Sequence, residues 1–171
     1  PNGQAQGSLI MAAVSDAGTT ADGVTLNEAH GTGTALGDPI EAGSLVAAVL
    51  GVRGERSAPL ILGGVKANIG HAEPAAGMTG MLKLSSGLES GAAAPNAQMR
   101  VLNPMVNGAF HGLSCALAAE QAAIGSMAHA EGGVSSFGYS GTIVHAVLSF
   151  EADAPRTNAL ACFHPSSRHK S

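Results

Sequence analysis

Glu28-Ala-His-Gly-Thr-Gly-Thr-Ala-Leu-Gly-Asp-Pro-Ile-Glu41 places one imidazole, His30, at the end of an apolar, strand-like run and follows it with alternating Gly and Thr and a helix start. The order is strand, reactive loop, helix. Gly31 and Gly33 permit backbone dihedrals closed to other residues and let a ligand approach the chain closely. Thr32 and Thr34 offer hydroxyls to the same concavity. Asp38 reads as an N-cap, Pro39 suits the first helical position, and Glu41 stands three after the cap, as in a capping box. His30 is then held on a loop fastened at both ends.

Upstream, residues 1–7 read as a polar loop. Residues 8–17 read as a short helix on the spacing of Leu9, Ile10, Ala13 and Val14. Residues 18–23 are a turn, and 24–29 a strand with Val24 and Leu26 on one side. Downstream, the helix opened at Asp38 runs through Leu45, Val46, Val49 and Leu50 to a stop at Gly51. Residues 54–59 form a charged loop. Leu60 to Val65 is a continuous apolar run, as expected of a strand covered on both faces, and it ends in Lys66. Lys66-Ala-Asn-Ile-Gly-His71-Ala-Glu-Pro-Ala-Ala-Gly77 is a second strand-to-loop-to-helix passage with a histidine in its loop.

Residues 74–88 are helical in pattern, with Met78, Met81, Leu82, Leu84 and Leu88 on the apolar face. Gly77, Gly80 and Gly87 admit a close neighbour; each costs about 1 kcal/mol relative to Ala, so packing must compensate. Residues 92–110, with Pro95, Asn96, Asn103, Pro104 and Asn107, read as an irregular connection. A strand is expected over 113–118, a loop or short helix over 119–131, and a strand over 133–137 that runs into Gly138-Tyr139-Ser140-Gly141. Residues 142–150, rich in Val and Ile, form the strongest strand pattern. Residues 151–171 read as a disordered tail. Strands alternating with helices argue for α/β layering.

The 171 residues suit one domain. With 24 Gly, no Trp, one Tyr and four Phe, packing must rely on small residues and close backbone approach. Eight basic residues are scattered singly in a chain of net charge −4, which argues against a nucleic-acid footprint or a polybasic membrane contact. No apolar run reaches the roughly 20 residues of a membrane-spanning helix. Cys115 and Cys162 have neither metal-ligand nor redox spacing and read as ordinary thiols in a reducing compartment, cytoplasm or plastid. The chain opens at Pro1 in what reads as mid-domain sequence, so an excised or incomplete gene product is expected.

His30 and His71 each stand where a strand gives way to a Gly-rich loop, the crevice in which open α/β sheets bind ligands. Two neutral imidazoles presenting N–H donors to one developing negative oxygen make an oxyanion site. A nearby cation, Lys66, disfavours the imidazolium and keeps the rings neutral. The rival chemistry is a metal held by His30, His71, Asp38 and Glu73, although no pair has His-x-x-x-His spacing. Gly-Thr-Gly-Thr lacks the Gly-Lys-Ser/Thr ending of a P-loop. His111, His129, His145, His164 and His169 have no comparable setting and read as structural or surface residues.

Three blocks in order carry a resemblance: Glu28 to Thr34 with Gly37-Asp-Pro-Ile-Glu41; Gly64-Val-Lys66 to Gly77; and Val134-Ser-Ser-Phe-Gly-Tyr-Ser-Gly-Thr142. Over residues 1–150 the chain resembles the C-terminal half of a β-ketoacyl synthase, closest to the ketosynthase domains of type I polyketide synthases and animal-type fatty acid synthases. Asn68-Ile-Gly-His71 with Glu73 favours the polyketide branch.

The resemblance implies a thiolase-like α/β fold in layers, of which this is the second half, in an enzyme that forms a homodimer. It implies decarboxylative condensation of an acyl group held on a Cys with malonyl presented on the phosphopantetheine of an acyl carrier protein; no cofactor or metal is implied. By motif position, His30 and His71 match the histidines that assist decarboxylation and polarise the thioester, and Lys66 the lysine that organises the site. Thr32 and Thr34 match the hydroxyls that bind the pantetheine arm, and Phe137, Gly138 and Tyr139 the oxyanion and gating loop. The nucleophilic Cys belongs to the N-terminal half, and neither Cys115 nor Cys162 has its sequence context. Ile143 replaces the Asn that commonly follows Gly-Thr, and 103–133 lacks the usual aromatic and paired Arg features. The alternative is a non-catalytic module that keeps the carrier-protein surface.

Overall fold

In chain order the elements are α1 (Gly3–Asp16), β1 (Val24–Glu28), α2 (Gly37–Ala48), β2 (Leu60–Gly63), α3 (Lys66–Ile69), α4 (Ala76–Ser90), β3 (Ala92–Ala93), α5 (Pro104–Phe110), β4 (Cys115–Leu117), β5 (Ala122–Ala123), β6 (His129–Phe137) and β7 (Ile143–Glu151). They come from a computed structural model that describes residues 2–55, 57–125 and 128–152. The expected tail falls almost wholly outside the described residues, with Cys162, His164 and His169. Five strands form one sheet in the order β4-β2-β1-β6-β7. β4, β2, β1 and β6 are parallel and β7 returns antiparallel to β6. β3 and β5 form a separate two-stranded ribbon.

Alternation on β2 shows how the layers form. Leu60 and Leu62 pack with Ile10, Leu45 and Leu50 of the α1–α2 side, whereas Ile61 packs with Leu84 and Leu88 of α4 on the other. Both faces are covered, which is why the strand reads as one unbroken apolar run. The expected α/β layering is therefore what the chain adopts.

Several local expectations give way to tertiary contacts. Helix α1 starts at Gly3 rather than Ser8, with the Asn2 side chain accepting the Ala5 N–H. Gly3 lies against α2, where a Cβ would sit 3.3 Å from Ile40 Cγ2, and Ser44 Oγ donates to the Gly3 carbonyl. The glycines that suggested a loop are helix–helix contacts. Val24 and Leu26 do not share a side: a register irregularity against β6 lies between them, and they enter opposite core clusters. Residues 104–110, expected to be irregular, form α5, with Asn103 accepting the Met105 N–H and Pro104 in the first turn. Within 119–131, expected to be a loop or short helix, Ala122–Ala123 form β5 and His129 opens β6. Leu60–Gly63 is two residues shorter than expected, because Lys66 opens a helical turn.

Helix α4 packs tightly where it crosses the sheet. A Cβ on Gly132 would lie 2.5 Å from Leu84 Cδ1 and 2.9 Å from the Leu26 carbonyl, and Leu84 is fully buried. The backbone oxygen cannot move aside as a side chain would. Gly132→Ala is therefore expected to destabilise the domain by about 1–3 kcal/mol. The check is the urea midpoint, and an unshifted midpoint contradicts this packing.

Candidate active site

The β1–β2 pairing extends one step beyond the strand, since the Ala29 N–H donates to the Gly63 carbonyl at 2.8 Å. His30 then leaves the sheet. Glu41, buried on α2, folds back to meet it: Oε1 accepts the His30 N–H at 2.7 Å and Oε2 the Gly31 N–H at 2.9 Å. The expected capping box is thus not formed. Helix α2 begins at Gly37 after Leu36, with no N-cap side-chain bond, and Asp38 lies inside its first turn. Thr34 Oγ1 accepts the Gly37 N–H at 3.0 Å, and the Asp38 carboxylate accepts the Gly33 N–H at 3.2 Å. Gly31 and Gly33 take φ of +47° and +77°, which a side chain would strain. The loop is fastened at both ends, as expected, by other bonds than expected.

The second passage is pinned as closely. Asn96 Oδ1 accepts the Gly64 N–H at 2.9 Å, and Glu28 Oε1 accepts the Val65 N–H. Asn68 donates to the Pro95 carbonyl at 2.9 Å and accepts the Ala97 N–H at 2.8 Å. Lys66 opens α3, so His71 follows a helical turn and not the strand directly. The two imidazoles meet nonetheless: their ring centroids are 5.8 Å apart at 88°. Phe137, from the end of β6, brings its ring to 5.5 Å from that of His30. His30 is half-buried and His71 exposed.

Burial lowers the His30 pKa from 6.5 to about 4, with Lys66 and then His71 adding to the effect. Lys66 is itself lowered by burial, against the opposing pull of Glu41, Glu28 and Asp38. Glu41 is raised, chiefly by burial. The expectation that Lys66 helps keep His30 neutral thus has its physical cause, with desolvation the larger part. His145 is also lowered to about 4 by burial and lies with Nδ1 3.0 Å from Ser135 Oγ, a structural histidine as expected. The unfolded chain takes up these protons first, so stability is full above about pH 6.5 and falls as the pH drops towards 4. In an NMR titration of the imidazoles, the signals removed by His30→Gln and His145→Gln should each titrate near 4. A His30 midpoint near 6.5 contradicts its burial.

Among the other expected site residues, Thr32 Oγ1 lies 3.4 Å from Thr34 Oγ1. Tyr139 is fully exposed, and the Gly138 N–H donates to the Thr142 carbonyl at 2.6 Å, closing the turn between β6 and β7. Among the described residues no group of three or more His, Cys, Asp or Glu side chains is placed to hold a metal. Sequence reasoning missed Glu28, Lys83, Asn96 and the loop-holding role of Glu41. A cavity of about 340 Å³ lies behind the His30 loop, between Gly31, Glu41, Asn96, Val106 and Phe110. No helix among the described residues is long and apolar enough to cross a membrane.

Residues 1–100 match the family model of the β-ketoacyl synthase C-terminal domain. The chain is 40% identical over 165 residues to erythronolide synthase EryA3 of Saccharopolyspora erythraea, covering 96% of this chain and 5% of that protein. It is 38% identical over 159 residues to mycoketide-CoA synthase of Mycobacterium tuberculosis, covering 93% of this chain and 4% of that protein. An oxazolomycin ketosynthase domain of Streptomyces albus superposes with a TM-score of 0.80 at 33% identity, over 91% of this chain and 27% of its own. The ketosynthase from module 1 of the bacillaene synthase of Bacillus amyloliquefaciens gives 0.80 at 32% identity, over 90% and 29%. The chain therefore spans 4–5% of those curated relatives and 27–29% of those solved chains.

Proposed function

The chain belongs to the β-ketoacyl synthase C-terminal domain family of type I polyketide synthases, and from that premise we propose that it supplies the two-histidine half of a condensing site. The carrying observation is the meeting of His30 and His71, 41 positions apart in sequence, with rings 5.8 Å apart at one end of the sheet. The partner half supplies the Cys that bears the acyl group, and an acyl carrier protein presents malonyl on its phosphopantetheine.

Loss of CO₂ breaks the malonyl C–C bond and leaves its electron pair as an enolate. The ring N–H groups of His30 and His71 stabilise the oxyanion, because a neutral donor fixed in place needs no reorganisation as charge develops. The enolate carbon attacks the acyl carbonyl carbon, and the Cys sulfur leaves as thiolate. Lys66 helps keep the His30 ring neutral, Thr32 and Thr34 bind the pantetheine arm, and the 137–139 loop gates entry.

Helix α4 supports the need for a second half. Leu84 and Leu88 face the sheet, but Met78 and Leu82 are 57% and 61% exposed. This apolar face suits a buried partner layer. The non-catalytic alternative rests on Ile143 and on the absence of the nucleophilic Cys from this half; against the first, Ile143 pairs with Phe137 in the β6–β7 ladder and the Gly138 N–H closes the turn on the Thr142 carbonyl. The test is the intact synthase carrying this half, supplied with acyl- and malonyl-carrier thioesters. β-Ketoacyl product and CO₂ are expected in equal amounts, and no product from an enzyme with its nucleophilic Cys in place defeats the reading.

A further inference from the structure

We infer that Glu28 and Lys83 are positioning residues that hold the two histidine-bearing segments in register, a role that rests on the proposed condensing function. Glu28 is 1% exposed at the end of β1, two residues before His30. Its Oε1 accepts the N–H of Val65, the residue before Lys66, and its Oε2 pairs with Lys83 Nζ at 2.5 Å. One carboxylate therefore ties the β1 end to the turn that carries Lys66 and leads to His71, and α4 supplies the countercharge.

The space is made for this pair. A Cβ on Gly63 would lie 2.6 Å from Glu28 Oε2 and 2.6 Å from Lys83 Nζ, so an alanine there collides with both charged groups. On the α4 side, a Cβ on Gly80 would lie 3.5 Å from Glu28 Cγ. Burying such a pair is a poor way to gain stability, since well-packed apolar residues of similar volume are often as good or better. An apolar pair would, however, leave the Val65 N–H without its acceptor and the Lys66 turn free to shift. The Glu28 charge also acts on Lys66, opposing the effect of burial.

Three variants of the intact synthase test this. Glu28→Asp keeps both charges but withdraws the carboxylate by one methylene. Glu28→Leu with Lys83→Met removes the pair and the acceptor together. Glu28→Gln with Lys83→Met returns an acceptor to Val65 without charge. The first two should lower decarboxylation of malonyl carrier at saturation by about 10- to 100-fold, the size of effect a misplacement near 1 Å produces. KM and acyl loading onto the Cys should stay within about two-fold of the parent, while the third variant recovers most of the rate. Parent-like decarboxylation by Glu28→Asp overturns the inference, and this variant serves alone if the apolar pair fails to fold. If His30→Ala and His71→Ala in the same synthase both decarboxylate at the parent rate, the condensing reading is what has failed.

Discussion

Given acyl- and malonyl-carrier thioesters, the isolated 171-residue chain should form no β-ketoacyl product, whereas the chain joined to a ketosynthase N-terminal half should form it. Condensation needs a thiolate to carry the acyl group. Cys115 is the free cysteine among the described residues, and it sits half-buried on β4, packed against the Leu60–Leu62 core. Burial raises its pKa, so the nucleophilic form is disfavoured. It also belongs to β4, the edge strand separated from β1 by β2, while His30 follows the end of β1 and His71 the helical turn after β2. Without an acyl acceptor the enolate has no carbonyl carbon to attack. Turnover by the isolated chain would mean that these residues hold a nucleophile of their own, and would defeat the division of labour between the halves.

The parts of the chain read well from sequence were those governed by periodicity or by a long motif. The apolar run of β2, the helical spacing of α4 and the strand pattern of β7 each stand where expected, within two residues or so. The expected meeting of His30 with His71 rests on their loop settings, and the rings do meet, edge to face. What misled was local chemistry redirected by distant partners. Glu41 has the spacing of a capping residue, yet its carboxylate serves amides 10 and 11 positions upstream, because the His30 loop lies over that turn of α2. Gly3 looked like loop material because the helix against which it packs is far away in sequence. Asn103-Pro104 did carry a helix-start signature, but the surrounding Asn and Pro outweighed it. The Glu28–Lys83 pair spans 55 positions and has no local pattern at all.

Replacing His71 by Ala in the intact synthase should lower malonyl decarboxylation by about 10²–10³-fold, the usual loss for one oxyanion donor. His30→Ala should fall in the same range, since both rings address one oxygen. The double variant should be little worse than the more damaging single one, because donors that act as a unit do not contribute additively. Release of CO₂ from malonyl carrier, followed with the Cys already acylated, isolates this step from loading. The two histidines should differ in their tolerance of replacement. His71 is exposed and, in the proposed mechanism, meets the incoming thioester, so His71→Gln keeps a donor within reach and should recover part of the rate. His30 is wedged between His71 and Phe137, with its backbone fixed by Glu41, and a Gln amide there cannot reproduce the ring contacts. An unchanged rate in His71→Ala would remove that imidazole from the oxyanion and leave His30 alone to carry the charge. The low pKa of His30 then gives a second, independent measure: an acid limb assigned to this ring should lie near pH 4, well below that of an exposed histidine, because protonation must first overcome its burial.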